Sequence, residues 1–398
     1  MLKLDKNKKY LLACSYGPDS MALFSMLLKE GYQFEVAHVN YHFRIESNIE
    51  EKGLREFASN NNVKIHVYDN KEKVSKNLEA KARDIRYKYF ASIYQKEKFD
   101  ALLIAHHEDD LLETYILQKN RKLHPFYFGI KAFSLSYGMT VIRPLLGYKK
   151  EELIEYCISN NVPYAIDKSN FDINFERNKI RHLYIEQLSI EERFFLLEEI
   201  TCKNEEVEAI LNKLQHLNIH SCDELKALNE DELIYAVQLL ANECQIYKIS
   251  RANFDEIHKI IFSNKANVRL QYKSYSFIKE YKEVRFERDE DFKGYAYKID
   301  YPTKLETAYF YLDFTNGASD RNVNDSDYPL IIRNAHPKDI IKIKDYYKEV
   351  RRLFIDWKMP VSLRKRWPVI INKNNQIIYI PRYQKDFIVT NNTSFYVK

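Results

Sequence analysis

Two carboxylates, Asp110 and Glu113, close the run Ala105-His106-His107-Glu108-Asp109-Asp110-Leu111-Leu112-Glu113-Thr114. A strand-like segment precedes the run and helical spacing follows it, so acids three apart project from one face of the opening helical turns. Such a pair can anchor an ammonium group or accept its proton. The adjacent histidines invite a metal reading, but neighbours at a strand end point to opposite sides and cannot readily chelate one ion. A second segment, Ser15-Tyr16-Gly17-Pro18-Asp19-Ser20, sits between a hydrophobic strand and an apolar-periodic helix. That turn aims free N–H groups and the positive helix end, roughly half a charge, at one spot suited to phosphate. Ser15 and Ser20 can donate hydroxyl bonds there, Pro18 suits a first helical turn, and Asp19 can hold a magnesium ion. The Gly-Lys-Ser/Thr of a Walker loop does not occur in it. Taken alone, the segment is equally an ordinary strand-turn-helix junction capped by Asp and Ser.

Other segments add polar groups in a fixed order. His38-Val39-Asn40-Tyr41-His42-Phe43-Arg44 ends a strand, where His38 is either a ligand contact or a structural histidine. Ala82-Arg83-Asp84-Ile85-Arg86-Tyr87 sets two arginines on one helical face, where they grip phosphate or simply face solvent. Ile142-Arg143-Pro144-Leu145-Leu146 leads to Asp167-Lys168-Ser169-Asn170 and then Arg177-Asn178-Lys179-Ile180-Arg181. Arg177, Lys179 and Arg181 form a basic cluster able to hold a phosphate backbone, or a solvated helix end. Near the C-terminus, Val350-Arg351-Arg352-Leu353-Phe354-Ile355-Asp356-Trp357-Lys358-Met359-Pro360 is followed by Leu363-Arg364-Lys365-Arg366-Trp367-Pro368. This interleaving of basic residues with Trp357 and Trp367 suits phosphate contact and base stacking, though the tryptophans fit a core equally well.

Together these segments resemble the N-type ATP pyrophosphatases of the PP-loop superfamily, whose SGGxDS loop serves ATP cleavage between the α and β phosphates. HVNHxLR, ARxxRY, AHHxDDQxET, RPLL, DxSN and RNxIR place the resemblance in the tRNA(Ile)-lysidine synthetase branch, over nearly the whole chain. It implies a ligase that uses ATP and Mg2+ to join free L-lysine to C2 of the wobble cytidine of tRNA(Ile) with a CAU anticodon. An adenylated cytidine is the intermediate, and AMP and diphosphate are released. It implies that Ser15, Tyr16, Gly17, Pro18, Asp19, Ser20, His38 and Asn40 line the ATP site, with Asp19 on the metal. Asp19, Arg83, Asp110 and Glu113 would be catalytic, the last two also receiving lysine. Arg177, Lys179, Arg181, Arg351, Arg352, Arg364, Lys365 and Arg366 would contact tRNA. Departures from the pattern in the phosphate loop and the acidic run are Tyr16 and Leu111. Tyr16 replaces the loop's second glycine, where a positive φ would cost a tyrosine about 1–2 kcal/mol. Leu111 replaces a glutamine. A PP-loop tRNA thiolase and a non-catalytic RNA-binding protein on the same fold are the alternative readings. The five scattered cysteines, without a CxxC pair, speak against the first, and retention of Asp19, Arg83, Asp110 and Glu113 against the second.

Strand-like runs at Tyr10–Cys14, Phe34–Asn40, Val63–Tyr68, Ala101–Ala105 and Thr140–Arg143 must position these groups. Helical patterns run over Asp19–Glu30, Leu78–Lys96 and Lys149–Asn160. The alternation predicts an α/β fold with a parallel sheet and ligands at the carboxyl ends of its strands. The expected domains are an ATP-pyrophosphatase domain over 1–188, a mainly helical, tRNA-contacting domain over 189–314 and a small basic α+β domain over 328–398. Thr315–Tyr328 reads as a linker or long loop. No run approaches the roughly 20 apolar residues of a spanning helix, which predicts no membrane association, and no secretory signal is apparent, which predicts a cytoplasmic protein. A net charge of +5 on 398 residues is too weak to identify an acidic partner, so local clusters must carry that argument. Oligomeric state stays open, with a homodimer one option.

Overall fold

A computed structural model describes residues 2–42, 46–70, 78–166, 176–272, 274–288, 292–318, 321–384 and 394–398. Phe43, Arg44 and the Asp167–Asn170 motif therefore lie outside the described residues. The chain divides into two compact units, Met1–Lys213 and Leu214–Lys398.

The first unit is built on β1 (Lys9–Ala13), β2 (Gln33–Asn40), β3 (Ile65–Asp69), β4 (Ala101–Ile104), β5 (Phe133–Ser136) and β6 (Met139–Ile142). They form one sheet in the order β3-β2-β1-β4-β6-β5, parallel except for the edge strand β5. Helices α1 (Pro18–Lys29), α2 (Glu46–Asn60), α3 (Leu78–Lys96), α4 (Glu108–Asn120) and α5 (Lys150–Ser159) connect or follow the strands. Then come α6 (Glu176–Leu183) and α7 (Ile190–Gln215). The near-continuous apolar run of β1 is what burial on both faces demands. Tyr10 and Leu12 pack with Leu23, Phe24 and Leu153 on one face, while Leu11 packs with Tyr87 and Phe90 on the other. The expected parallel sheet is thus present, with β5 as an antiparallel addition. Tyr137 and Gly138, both at positive φ, make the two-residue turn joining β5 to β6.

Strand order reverses between β1 and β4, because β2 and β3 extend the sheet one way and β6 and β5 the other. At such a switch point the connections leave in opposite directions and open a crevice beyond the strand ends. The Ser15–Ser20 loop follows β1 and the His106–Glu113 run follows β4, so topology delivers both to one crevice.

In the second unit, α8 (Cys222–Leu225), α9 (Glu230–Glu243) and α10 (Arg251–Phe262) precede an antiparallel sheet of β7 (Asn267–Gln271), β8 (Tyr275–Glu280) and β9 (Glu283–Arg288). The rest carries β10 (Ala296–Ile299), β11 (Lys304–Glu306), β12 (Phe310–Asp313), β13 (Leu330–Asn334), β14 (Ile340–Ile343) and β15 (Tyr346–Glu349). It ends with α11 (Val350–Asp356), α12 (Val361–Arg364), β16 (Pro368–Ile371), β17 (Ile377–Tyr379) and β18 (Phe395–Val397). β10 pairs with β13 and β12 with β18, so residues 296–313 share sheets with the C-terminal strands. The described residues of the Thr315–Tyr328 stretch belong to this unit: Ala318 and Val323 within it, and Phe314 before it, are core residues. Sequence inspection could not show this, because the pairings join strands far apart in the chain.

Trp367 is 1% exposed in that core, and its indole N–H donates to the Pro381 carbonyl at 2.7 Å. Trp367→Ala is expected to cost about 3–5 kcal/mol, as large core truncations do, read as an earlier denaturant transition of the second unit. Trp367→Phe should recover part of the loss, since only the hydrogen bond and one ring go missing.

Candidate active site

Backbone pairing of β1 runs on through Cys14, whose N–H donates to the Ala37 carbonyl, and the chain then turns sharply into α1. Gly17 is the N-cap, Pro18 opens the first turn and Asp19 follows, as a phosphate-binding turn requires. The buried Ser20 hydroxyl donates to the Gly17 carbonyl at 3.0 Å and lies 3.3 Å from the Ser15 N–H. Ser15 is exposed, with its hydroxyl 3.4 Å from that of Ser20. Tyr16 has φ +69°, a left-handed conformation that favours glycine, and the tyrosine bears its cost. The Tyr16 carbonyl accepts from Ala165 N–H at 3.0 Å, which secures the loop from the far side.

Two of the expected nucleotide-site residues have internal partners. The His38 ring nitrogen Nδ1 lies 2.8 Å from the Cys14 carbonyl, and burial holds its pKa below the usual histidine value. The Asn40 amide donates to Asn48 and Glu51 of α2, and its oxygen accepts from His42 N–H. Both therefore brace the strand end behind the loop. Arg83 is exposed on α3 and stacks on Tyr87, its guanidinium 4.8 Å from the ring centre.

His107 caps α4 and is 1% exposed. Its Nε2 lies 3.7 Å from an Asp19 oxygen and 3.4 Å from an Asp110 oxygen, bridging the phosphate loop to the acidic helix. His106 points away, accepting from Arg143 Nε at 3.0 Å, and burial takes its pKa down to about 4. Arg143 is held by the Lys131 carbonyl and the Ser134 hydroxyl, so this pair is an uncharged-histidine support at the sheet end. The histidines do point to opposite sides.

Three arginines contact the acids of α4. Arg181 Nη2 donates to Asp110 at 2.8 Å and to Glu113 at 2.8 Å, and Arg177 Nε lies 3.3 Å from Glu113. Arg193 donates to Glu108 at 3.1 Å, to Asp109, and to the Ile185 carbonyl at 3.1 Å. Arg181 is thus turned inward onto the carboxylate pair, whereas the sequence reading had it gripping RNA backbone; Arg177 and Lys179 remain exposed. Burial pushes the Asp110 carboxyl up, but His107, His106 and Arg181 outweigh it and hold it below the usual range. Glu113 moves the other way, raised by burial that Arg181 and Arg177 only partly offset. Burial also raises Asp19, whose Oδ1 is buried without a hydrogen-bond partner among the described residues. A lone hard oxygen donor beside a phosphate loop fits Mg2+, which commonly takes one or two carboxylates with substrate phosphates.

Leu111 turns away from this face and packs against Gly129, where a Cβ would lie 2.7 Å from Leu111 Cδ1. Arg143 and Arg193 escaped sequence inspection. Arg143 lay inside a recognised motif that gave it no role, and Arg193 is a single cation in an acid-rich helix, a pattern without a signal.

In the second unit Arg351, Arg352, Lys365 and Arg366 are exposed. Arg364 instead donates through Nε and Nη2 to the Met359 carbonyl, at 2.9 and 2.7 Å, and serves to cap the turn before it.

A family model described as a PP-loop domain matches residues 1–188. The chain is 31% identical over 386 residues to the tRNA(Ile)-lysidine synthase of Lactococcus lactis subsp. lactis, covering 93% of this chain and 86% of that protein. It is 30% identical over 392 residues to that of Streptococcus sanguinis, covering 94% and 89%. With the Mycoplasma mycoides subsp. mycoides protein of the same name it shares 29% over 408 residues, covering 95% and 98%. Full-length similarity at this level, together with a phosphate loop and an acidic helix meeting at the sheet's switch point, shows that the chain belongs to the tRNA(Ile)-lysidine synthase family.

Proposed function

We propose that this chain uses ATP to ligate free L-lysine to C2 of the wobble cytidine in tRNA(Ile) bearing a CAU anticodon. The observation that carries the reading is the bridge made by His107, which brings the phosphate-loop acid Asp19 and the Asp110–Glu113 pair to one place. Incorporation of labelled lysine into unmodified tRNA(Ile), dependent on ATP, is the direct test. Absence of transfer with intact tRNA binding overturns it.

The C2 oxygen of cytosine is a poor leaving group, so it first attacks the α-phosphorus of ATP. The new O–P bond forms as the bond to pyrophosphate breaks. The N–H groups of the loop, the α1 dipole and the Ser15 hydroxyl face the phosphates in this scheme. Asp19 would hold magnesium, which when bound would offset phosphate charge. In the second step the lysine ε-amine bonds to C2 and AMP departs. The amine must be neutral, and with a pKa near ~10.4 this costs roughly 4 kcal/mol at neutral pH.

Two carboxyls whose environments push them apart divide such work. Asp110, kept ionised, anchors the positive charge of lysine, and Glu113, whose proton affinity is raised, takes the ε-amine proton. Arg181 competes with the substrate ammonium for the same oxygens, which keeps both acids compensated before lysine enters. The exposed Arg351, Arg352, Lys365 and Arg366 supply the charge that holds tRNA phosphates.

Asp19→Asn should reduce pyrophosphate release about a hundredfold or more while leaving the thermal midpoint unchanged or higher. The sign follows from burial: the folded state disfavours the Asp19 charge, so a neutral isostere relieves it. Unimpaired pyrophosphate release would remove Asp19 from the nucleotide chemistry.

Glu113→Gln should leave adenylate formation within a fewfold of wild type and slow lysine transfer about a hundredfold, so adenylated tRNA accumulates. In the wild type, transfer should fall as pH drops through the raised Glu113 pKa, because the base must be deprotonated, and the variant should lack that limb. Loss of adenylation instead would assign Glu113 to the nucleotide side. Neutralising Arg351, Arg352, Lys365 and Arg366 with glutamine should weaken tRNA binding and flatten its salt dependence by up to about 0.9 in slope per lost phosphate contact. ATP binding, measured in parallel, should not change.

A further inference from the structure

Gly53 lies inside α2, in ordinary helical backbone, where glycine is disfavoured relative to alanine and no positive φ calls for it. Space supplies the reason. A Cβ at Gly53 would stand 2.4 Å from the Tyr16 hydroxyl oxygen, 2.6 Å from Cζ and 3.1 Å from Cε1. The ring of Tyr16 therefore occupies the notch that the missing side chain leaves. The same α2 reaches the adjacent strand end through Asn48 and Glu51, which both accept from Asn40. One helix thus touches the phosphate loop and the end of β2 together, and Tyr16 is the loop's contribution to that contact.

We infer that Tyr16 is a positioning residue for the phosphate loop and that Gly53 is its receptor. The seat of the ring against α2 offsets the left-handed backbone at residue 16 and sets where the loop N–H groups point. A free glycine at position 16 would need no seat, and a tyrosine without the notch would have to swing its ring off α2. The inference rests on the nucleotide reading of the loop, and it adds Gly53, which no motif includes.

The test is a matched set of full-length variants, with ATP binding measured by equilibrium dialysis in magnesium buffer and lysine KM measured separately. Gly53→Ala should weaken ATP binding about tenfold, the effect that overpacking commonly has, with lysine KM changed less than about twofold. Adding Tyr16→Gly to Gly53→Ala should restore ATP binding to within about threefold, because no ring then needs the notch. Tyr16→Ala, which keeps the left-handed residue but removes the ring and leaves α2 untouched, should weaken ATP binding on its own. It decides the matter if Gly53→Ala does not fold. Unchanged ATP affinity in Gly53→Ala or Tyr16→Ala, or a double variant as weak as Gly53→Ala, overturns the pairing. A wild-type chain that fails to bind ATP overturns the nucleotide reading itself, and the positioning role with it.

Discussion

Glu108, Asp109 and Glu113 are each under a tenth exposed, and Asp110 stands beside them on the same helix start. Four carboxylates so placed repel one another and lose hydration, and neither cost is tolerable without counter-charge. The structure meets it three times over: the positive end of α4 faces the acids, Arg193 takes Glu108 and Asp109, and Arg181 takes Asp110 and Glu113. Breaking one partner out of such a buried pair typically costs 3–5 kcal/mol. The placement of α6 and of the start of α7 against α4 follows from this demand, and the docking is as much electrostatic as apolar. Ile185, buried with Leu112, Tyr115 and Ile116, supplies the apolar share.

The two arginine clamps differ in what they leave available. Arg193 ties its acids to the Ile185 carbonyl as well, a closed arrangement with little reason to exchange. Arg181 holds two acids through a single terminal nitrogen, and its Nε is buried without a hydrogen-bond partner among the described residues. Arg193 likewise holds its two acids through a single nitrogen, Nη1, and differs in the further bond that its Nη2 makes to the Ile185 carbonyl.

Much of this was legible in the residues. The strand-helix alternation, the loop after β1 and the acidic run after β4 predict the crevice, because parallel topology leaves few places for such loops to meet. Local spacing could not reveal which way a side chain turns. Arg181 sits in a motif that reads as an RNA-binding basic cluster, yet a carboxylate pair some seventy residues earlier draws it inward. The inclusion of residues 296–313 in the C-terminal sheets is hidden for the same reason, since β12 finds its partner in β18. The sign of φ at Tyr16 was left open by sequence and is settled by the turn, which needs the left-handed residue whatever its side chain.

Two departures from the family's motifs lie against a glycine: Tyr16 at Gly53 and Leu111 at Gly129. A bulky side chain and its void must be acquired in a permitted order. At residue 53 the glycine has to come first or alongside, because the Tyr16 ring meets a Cβ there, whereas Leu111 is no bulkier than glutamine and the φ of +74° at Gly129 already calls for glycine. Residue 16 is therefore a poor position for borrowing a single substitution from a relative into this chain or out of it. A transplanted tyrosine would arrive without its socket, so the unit of exchange between such proteins is the pair of facing positions rather than the motif letter.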